Sequence, residues 1–391
     1  MTTIYLDYNA TTPVARSVTE AMLPFLQDHY GNPSSSHELG ELPREAIALA
    51  RSQLATMLRA RDDEIVFTSG GSEANNLALK GVMFRHPPAD AHLVISAFEH
   101  PAILEPARFL ERMGYGLTLL PVNSSGLVEP QQVAAAIEPN TRLVSVMHAN
   151  NEIGTIQPIC EIAALCHQQG VLLHTDAAQS IGKLQVQVDE LGVDLLTVAG
   201  HKIYAPKGVG ALYVREGVEL EPLVHGAAHE RGLRAGTENT AYLVGLGEAA
   251  RRVDEQWCER ASRLEELRDQ LLSLLSDKIG QPLTVNGCDA PRLPNTLSLN
   301  FPGVVGSDLL AAAAGLCAST GAACHSGETR LSTTLAAIGL DPDVARGTVR
   351  LSLGWSTSME EIEEAARVLS QAWQQLAGST QQAPRQQGDD G

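Results

Sequence analysis

The sequence lacks two features that would each indicate a particular class of protein: long apolar runs and an excess of positive charge. No apolar run approaches the roughly 20 residues of a membrane span, and the opening Met1-Thr2-Thr3-Ile4 does not begin a signal peptide. The 28 lysines and arginines are outnumbered by 46 aspartates and glutamates, so the net charge is −18. This charge disfavours a phosphate backbone as a partner. We therefore expect a soluble cytoplasmic protein that binds neither membranes nor nucleic acids.

Cysteine is also scarce, and its spacing excludes the common zinc motifs. No two cysteines have the CxxC spacing of a metal site, and we expect no metal. In a large cytoplasmic chain the cysteines should be free thiols, each either buried or a reactive nucleophile. The six are Cys160, Cys166, Cys258, Cys288, Cys317 and Cys324.

What the sequence does contain is typical of a globular α/β protein. Of its 391 residues, 44% are hydrophobic and 19% are charged. Short apolar segments separated by spacers of helix length indicate a mostly parallel, seven-stranded sheet covered on both faces by helices. The predicted strands are residues 64–68, 92–96, 117–122, 143–147, 171–173, 195–198 and 209–214.

The pattern changes after a long helix predicted for residues 240–275. Strands at 295–301 and 348–354 flank a predicted helix at 307–316, and a last helix begins with a capping box at Ser358. This is the pattern of a smaller α+β domain. We predict a large domain at 15–260, a small domain made of 1–14 and 261–377, and a disordered polar tail at 378–391.

Two neighbouring strands of the predicted sheet each end in polar residues. Asp176 follows the strand at 171–173, and His201 and Lys202 follow the strand at 195–198. Open α/β sheets bind ligands at the carboxyl ends of such strands. A lysine amine and a carboxylate held together there suit pyridoxal phosphate (PLP), which needs a Schiff-base lysine and a partner for its pyridine nitrogen. A surface lysine and a helix-capping aspartate would give the same pattern.

Three further segments place polar groups at strand ends. In FTSGGSEANN, Ser72 lies near a predicted helix start, where free amides can bind a phosphate. An ordinary glycine turn would give the same sequence pattern. His100 in FEHPA could stack on a ring or could be a solvated loop histidine. Asn150 and Asn151 in MHANNEIG could hydrogen-bond a ring hydroxyl, but loop asparagines are common.

The C-terminal half contributes three more candidates. Cys324 lies beside a histidine in a Gly/Ser-rich segment, where we expect a polar, mobile loop and a reactive thiol. Arg350 lies in a strand pattern and could bind a substrate carboxylate or form a surface ion pair. The loop GTEN, with Thr237, could simply be a connection.

Together these segments resemble the NifS-like cysteine desulfurases, the class V branch of the PLP-dependent transferases of fold type I. The resemblance extends over about residues 3–376. The matching motifs, in order, are YLDYNATTP, GNPSSSH, FTSGGSEANN, EHPA, HANNEIG, HTDAAQ, GHKIYAPKG, HERGLRAGTEN, GAACHS and VRLSLG.

The resemblance implies roles for the matching residues around the cofactor ring. Lys202 would form the Schiff base and Asp176 would hold the pyridine nitrogen. His100 would stack on the ring and take part in catalysis. Gln179 and Asn151 would approach the ring hydroxyl.

It also implies how phosphate and substrate are held. Gly71, Ser72 and His201 would bind the phosphate, and Thr237 would reach the phosphate of the neighbouring subunit of a homodimer. Arg350, with Asn151, would bind the substrate carboxylate. Cys324 would attack the substrate sulfur and become a persulfide.

The implied activity is conversion of L-cysteine to L-alanine, with delivery of the sulfur to an acceptor protein. A selenocysteine lyase and a non-catalytic partner protein of the same fold are the alternatives. The sequence leaves four destinations of the sulfur open: iron–sulfur assembly, tRNA thiolation, cofactor synthesis and DNA modification. The sequence departs from the family at Ala199, where many members have a phosphate-binding serine, at Ala227 and Ala228 in a run of glycines, and at Trp355, where an arginine is frequent.

Overall fold

The computed structural model describes residues 3–320, 322–325 and 328–381. The strands are β1 (Ile4–Tyr5), β2 (Ile65–Thr68), β3 (His92–Ser96), β4 (Gly116–Leu120), β5 (Thr141–Ser145), β6 (Leu172–Asp176), β7 (Leu195–Ala199), β8 (Gly210–Val214), β9 (Thr284–Val285), β10 (Thr296–Asn300), β11 (Leu316–Cys317), β12 (Ser319–Thr320), β13 (Ala322–His325), β14 (Glu328–Leu331) and β15 (Thr348–Ser352). The helices are α1 (Arg16–Gln27), α2 (Glu38–Leu58), α3 (Gly71–Met83), α4 (Pro101–Arg112), α5 (Pro130–Ala136), α6 (Ile159–Gln168), α7 (Val188–Leu191), α8 (Thr240–Ile279), α9 (Gly306–Ala312), α10 (Thr333–Ala337), α11 (Pro342–Ala345) and α12 (Met359–Gln381).

The large sheet has the order β2-β8-β7-β6-β5-β3-β4. Its pairs are parallel except those of β8, which runs antiparallel to both β2 and β7. All seven predicted strands therefore form one mostly parallel sheet, as expected. The polar residues that end β6 and β7 consequently lie at the same edge of the sheet.

Apolar residues at successive positions of each strand build a core on both faces of this sheet. On β3, Val94 packs into one apolar cluster, while Leu93 and Ile95 pack into the other. Side chains alternate between faces along a strand, so a run of apolar residues buries both sides. Helices α3 and α4 cover one face, and α2, α6 and α8 cover the other.

A second, antiparallel sheet follows the long helix, with the order β12-β15-β10-β9. β15 and β10 confirm the strands predicted at 348–354 and 295–301, which is the predicted change to an α+β pattern. Near the start of the chain, β1 pairs with β11, and Asp7 forms a bridge with Ser352. The N-terminal segment is thereby joined to the second sheet.

The predicted starts of α8 and α12 hold, but two predicted helix ends do not, and one of these is the end of α8, which runs to Ile279 rather than residue 275. α8 begins at Thr240 as predicted, and the capping box of α12 forms through the Ser358 N–H to Glu361 Oε2 (2.9 Å) and the Glu361 N–H to Ser358 Oγ (3.3 Å). The helix predicted to reach residue 316 is wrong at its end, since α9 stops at Ala312. Gly315 turns the chain there with a φ of +85°, which favours glycine.

Two observations concern the whole chain. α12 extends to Gln381, and the remainder of the predicted tail lies outside the described residues. Among the described residues, no helix is both long enough and apolar enough to cross a membrane.

Candidate active site

A cavity of about 660 Å³ opens at the carboxyl ends of the central strands. It gathers residues that follow β2, β3, β5, β6 and β7, together with residues of the N-terminal segment and of β15. Nine of the predicted site residues line it: Gly71, Ser72, His100, Asn151, Asp176, Gln179, His201, Lys202 and Arg350. The fold therefore brings together side chains spread over most of the sequence.

Lys202 ends the short turn that follows β7. Its Nζ donates to the backbone oxygens of Asn9 (2.5 Å) and Ala10 (2.8 Å). Burial and the Arg350 charge lower the pKa of this amine to about 8, against the opposing charge of Asp176. A lysine with such a pKa is partly neutral near pH 7 and can act as a nucleophile or a base.

Asp176 is the last residue of β6 and is buried. Its Oδ2 accepts a hydrogen bond from Asn75 Nδ2 (2.7 Å), and its Oδ1 accepts one from the Ala178 N–H (2.9 Å). These two donors hold the carboxylate in one orientation and provide the hydrogen bonds that water would otherwise provide. Asn75 was not predicted as a site residue, although it lies within the segment FTSGGSEANN.

The start of α3 presents backbone N–H groups to the cavity. Gly70 precedes the helix with a φ of 145°, and the first N–H groups of a helix have no acceptor within it. A Cβ atom on Gly71 would lie 3.2 Å from the Cβ of Ala199, so α3 approaches the end of β7 closely. Such a helix start can bind an anion.

His201 lies on the same side of the cavity. Its Nδ1 is 3.2 Å from Thr11 Oγ1. Burial, together with the nearby cations Lys202 and Lys207, lowers its pKa to about 4. The imidazole is therefore neutral at neutral pH and offers hydrogen bonding without adding charge.

His100 caps α4 and stands exposed at the opening of the cavity. Its Nδ1 accepts a hydrogen bond from the Ala102 N–H at 3.1 Å, so in the neutral ring the proton lies on Nε2. Desolvation lowers the pKa of His100, and the charge of Asp176 opposes this effect. The ring is thus held in one orientation, with a donor directed away from its own helix.

Arg350 is buried in β15 and its partners were not predicted. Its Nη2 donates to Asp7 Oδ1 at 2.6 Å, and its Nη1 donates to the backbone oxygen of Asn151 at 3.0 Å. Its Nε is buried and has no partner among the described residues. The guanidinium is therefore fixed in place and retains hydrogen-bonding capacity, which excludes the alternative of a surface ion pair.

The two candidate asparagines have different positions. Asn150 is fully buried, and its Oδ1 accepts hydrogen bonds from the N–H groups of Glu152 (2.8 Å) and Ile153 (3.0 Å). It therefore closes the turn after β5. Asn151 lines the cavity instead.

Asn9, in the segment YLDYNATTP, lines the cavity and has hydrogen bonds both to cavity residues and to residues of the second sheet region. Its backbone oxygen accepts from Lys202 and from Gln179 Nε2 (3.0 Å). Its side-chain nitrogen donates to Thr296 Oγ1 (2.8 Å), and its oxygen accepts from Asn295 Nδ2 (3.0 Å). Asn9 thus joins the cavity edge of the large sheet to β10, and sequence reasoning missed it.

Among the predicted site residues whose side chains the structure describes, Thr237 does not line the cavity of its own chain. Thr237 is exposed in the loop before α8. Two ion pairs anchor that loop: Arg234 to Glu73 in α3 (3.1 Å) and Glu230 to Arg51 in α2 (2.6 Å).

The backbone of Cys324 lies in β13, opposite Thr329 of β14. Where a loop was expected, the described backbone therefore forms two paired strands. Antiparallel hydrogen bonding between the two segments explains the difference. The Cys324 side chain lies outside the described part of the structure.

Comparison with known proteins extends these observations to the whole chain. Residues 4–364 match the family described as aminotransferase class-V. Cysteine desulfurase IscS of Dictyoglomus turgidum is 44% identical over 375 residues, which cover 95% of this chain and 95% of that protein.

Two solved structures are similar as well. One named NifS-like protein has a TM-score of 0.87 at 35% identity and covers 94% of this chain and 98% of its own. Another, SspA in complex with cysteine, has a TM-score of 0.80 at 39% identity and covers 90% of this chain and 99% of its own.

Proposed function

Because the chain belongs to the aminotransferase class-V family, we propose that it is a PLP-dependent cysteine desulfurase. It converts L-cysteine to L-alanine and transfers the sulfur to its own Cys324. One observation carries the proposal: Lys202, with its pKa lowered to about 8, and the buried, doubly hydrogen-bonded Asp176 line one cavity with Arg350. This is the combination that PLP chemistry on an amino acid requires.

The residues of the cavity fit PLP. Lys202 would hold it covalently through its amine, and Asp176 would hold its pyridine nitrogen. The free N–H groups at Gly71 and Ser72 would bind its phosphate, with His201 beside them. The cavity volume of about 660 Å³ is in the range of small-molecule sites.

His100, Gln179 and Asn151 complete the proposed cofactor site. His100 would stack on the ring from the cavity mouth. Gln179 and Asn151 would approach the ring hydroxyl. Ala199 offers no hydroxyl to the phosphate, so we assign more of the phosphate binding to the helix start and to Thr237 of a second subunit.

Bound PLP supplies an electron sink for the negative charge left when a proton leaves the substrate α-carbon. Lys202 is the base for that proton, since its amine is partly neutral near pH 7. Arg350 binds the substrate carboxylate, and Asp7 and the Asn151 carbonyl hold the guanidinium in position for it. The position of Arg350 in the cavity lining supports this assignment.

Cys324 takes the sulfur. Its thiolate attacks the substrate sulfur, a sulfur–sulfur bond forms, and the carbon–sulfur bond breaks with its electron pair staying on carbon. Protonation of that carbon gives alanine, and Cys324 is left as a persulfide. A sulfur-acceptor protein then removes the outer sulfur.

We further propose that the chain works as a homodimer in the cytoplasm. Apolar side chains on α1 and α2 are unusually exposed for a monomer, among them Leu26, Leu49 and, between the helices, Tyr30. The anchored loop with exposed Thr237 supports a contribution to a second subunit. The free thiols Cys160, Cys258, Cys288 and Cys317 suit a reducing compartment.

The test uses the purified protein, L-cysteine and a reductant. We expect a visible absorbance band from bound PLP and equal amounts of alanine and sulfide. Lys202→Ala should lose the band and reduce turnover by at least about 10²-fold, the scale of a general base. Lys278→Ala, an exposed lysine of α8, is the matched control.

Two outcomes would count against the proposal. Alanine formed by Lys202→Ala at the wild-type rate would overturn the assignment of the base, as would a PLP adduct still trapped by borohydride. Turnover of selenocysteine without turnover of cysteine would identify a selenocysteine lyase instead.

A further inference from the structure

Lys183 lies next to the cavity, in the turn that follows β6 and Gln179. Its side chain is buried, with only 7% exposed, although lysine is rarely found in a protein interior. Its Nζ donates to Gln179 Oε1 at 2.8 Å and to Asn9 Oδ1 at 3.2 Å. Both acceptors are uncharged amide oxygens, so these contacts are not an ion pair.

The surroundings of Lys183 disfavour the charged form of its amine. Burial lowers its pKa well below the ordinary lysine value, and the cations Lys202 and Arg350 lower it further. Lys183 also lines a second, smaller cavity with Tyr8, Tyr204 and Lys202, and no carboxylate is among the described residues that line it. A neutral amine has two N–H groups, and Lys183 has one acceptor for each.

Gln179 is held at both ends of its side-chain amide. The oxygen accepts from Lys183, and the nitrogen donates to the backbone oxygen of Asn9 at 3.0 Å. Because a backbone oxygen can only accept, the amide nitrogen must face Asn9. A primary amide nitrogen carries two N–H groups, so one remains for the cavity that Gln179 lines.

We propose that Lys183 is a positioning residue that, with the Asn9 carbonyl, fixes the Gln179 amide so that an N–H meets the ligand. The inference rests on the proposed function, in which Gln179 approaches the ring hydroxyl of PLP. A donor there stabilises the deprotonated ring oxygen. Without Lys183, the Gln179 oxygen is a buried acceptor without a donor, and the amide turns away to satisfy it.

The experiment compares PLP-bound wild type with Lys183→Met, which keeps the length of the side chain and removes its donors. Gln179→Ala and the double variant complete a double-mutant cycle. Lys278→Met, an exposed lysine in α8, is the control for loss of a lysine. The readouts are the pH titration of the visible band of bound PLP and the PLP dissociation constant.

Lys183→Met should shift the titration midpoint upward by about 0.7 pH unit and raise the dissociation constant about fivefold, the effect of one hydrogen bond. In the Gln179→Ala background it should change neither quantity further, since Lys183 acts through Gln179. An equal effect in both backgrounds overturns the inference, as does no effect in either.

The failure of this inference is distinguishable from that of the proposed function. A wild-type protein that binds no PLP overturns both, whereas PLP-bound wild type with an unchanged Lys183→Met titration overturns the inference alone. If Lys183→Met does not fold, a crystal structure of unaltered PLP-bound protein decides. The inference is supported if Lys183 bonds to the Gln179 oxygen and the amide nitrogen faces the ring oxygen. It is overturned if Lys183 bonds to another partner.

Discussion

At Lys202, the local environment determines when the amine is reactive. Burial and the Arg350 guanidinium lower its pKa to about 8. Below that pH the folded protein holds an ammonium group without a lone pair, and above it the neutral amine dominates. We predict that the rate of PLP attachment to the cofactor-free protein rises with pH and levels off above about 8.

The measurement is the growth of the visible band after PLP is mixed with cofactor-free protein, followed over a pH series. A midpoint near the ordinary lysine pKa of about 10.4 would contradict the structural account of Lys202. The same lowered pKa makes folding less favourable at low pH. Stability of wild type relative to Lys202→Met should therefore increase as the pH rises from about 8 to about 10.

Replacing Cys324 should separate the binding of PLP and cysteine from the transfer of sulfur. We predict that Cys324→Ser keeps PLP and binds cysteine but releases no sulfide under reductant. A serine hydroxyl is a far weaker nucleophile toward sulfur, and the cavity residues are unchanged. Cys288→Ser, an exposed free thiol, should keep full activity as a control. Near wild-type alanine formation by Cys324→Ser would mean that another group takes the sulfur.

At the scale of elements, the buried Glu230 carboxylate ties the loop of residues 229–239 to α2 and to β2 of the large sheet. Glu230 has a φ of 46° and Arg231 a φ of 55°, conformations that non-glycine residues rarely adopt. Hydrogen bonds to the Glu230 carboxylate offset this strain. It accepts two from Arg51 at 2.8 and 2.6 Å and one from the Phe67 N–H at 2.8 Å. The ion pair therefore determines the path of the loop that carries Thr237.

Glu230→Ala should lower the free energy of unfolding by about 3 kcal/mol, because it leaves the Arg51 charge and the Phe67 N–H without their partner. Glu255→Ala, which removes an exposed partner of Arg251, should cost about 1 kcal/mol or less. Urea unfolding of both variants measures the difference. Equal costs would show that the buried pair does not stabilise this loop.

At the scale of the whole molecule, we propose that the exposed apolar side chains of α1 and α2 and the exposed Thr237 contribute to a homodimer interface. If Thr237 holds the phosphate in the second subunit, PLP binding should stabilise the dimer by mass action. We predict that Thr237→Val lowers PLP retention and weakens association together, by about 1 kcal/mol for one hydrogen bond.

The division into domains at 15–260 and at 1–14 with 261–377 likewise stays a prediction.

Cofactor content and sedimentation over a dilution series measure both effects of Thr237→Val. Thr284→Val, an exposed threonine of β9, serves as the control. A monomeric wild type with full PLP and activity would contradict the shared site. A Thr237→Val protein that retains PLP normally would also contradict it.

The sequence by itself determined the strands of the large sheet, the start of α8 and the cap of α12. These features depend on residues close together in the chain: apolar runs, helical periodicity and capping side chains. It also indicated Asp176 and Lys202, since parallel strands place their carboxyl ends at one edge.

Only the tertiary structure decided which polar groups meet. Asp7 pairs with Arg350 across 343 positions of sequence, and Asn75 bonds Asp176 across 101. It also decided that Asn150 closes a turn while its neighbour Asn151 faces the cavity. Local patterns report burial and periodicity but not distant partners. Hydrogen bonds between distant residues depend on strand order and crossovers, and these exist only once the chain is folded.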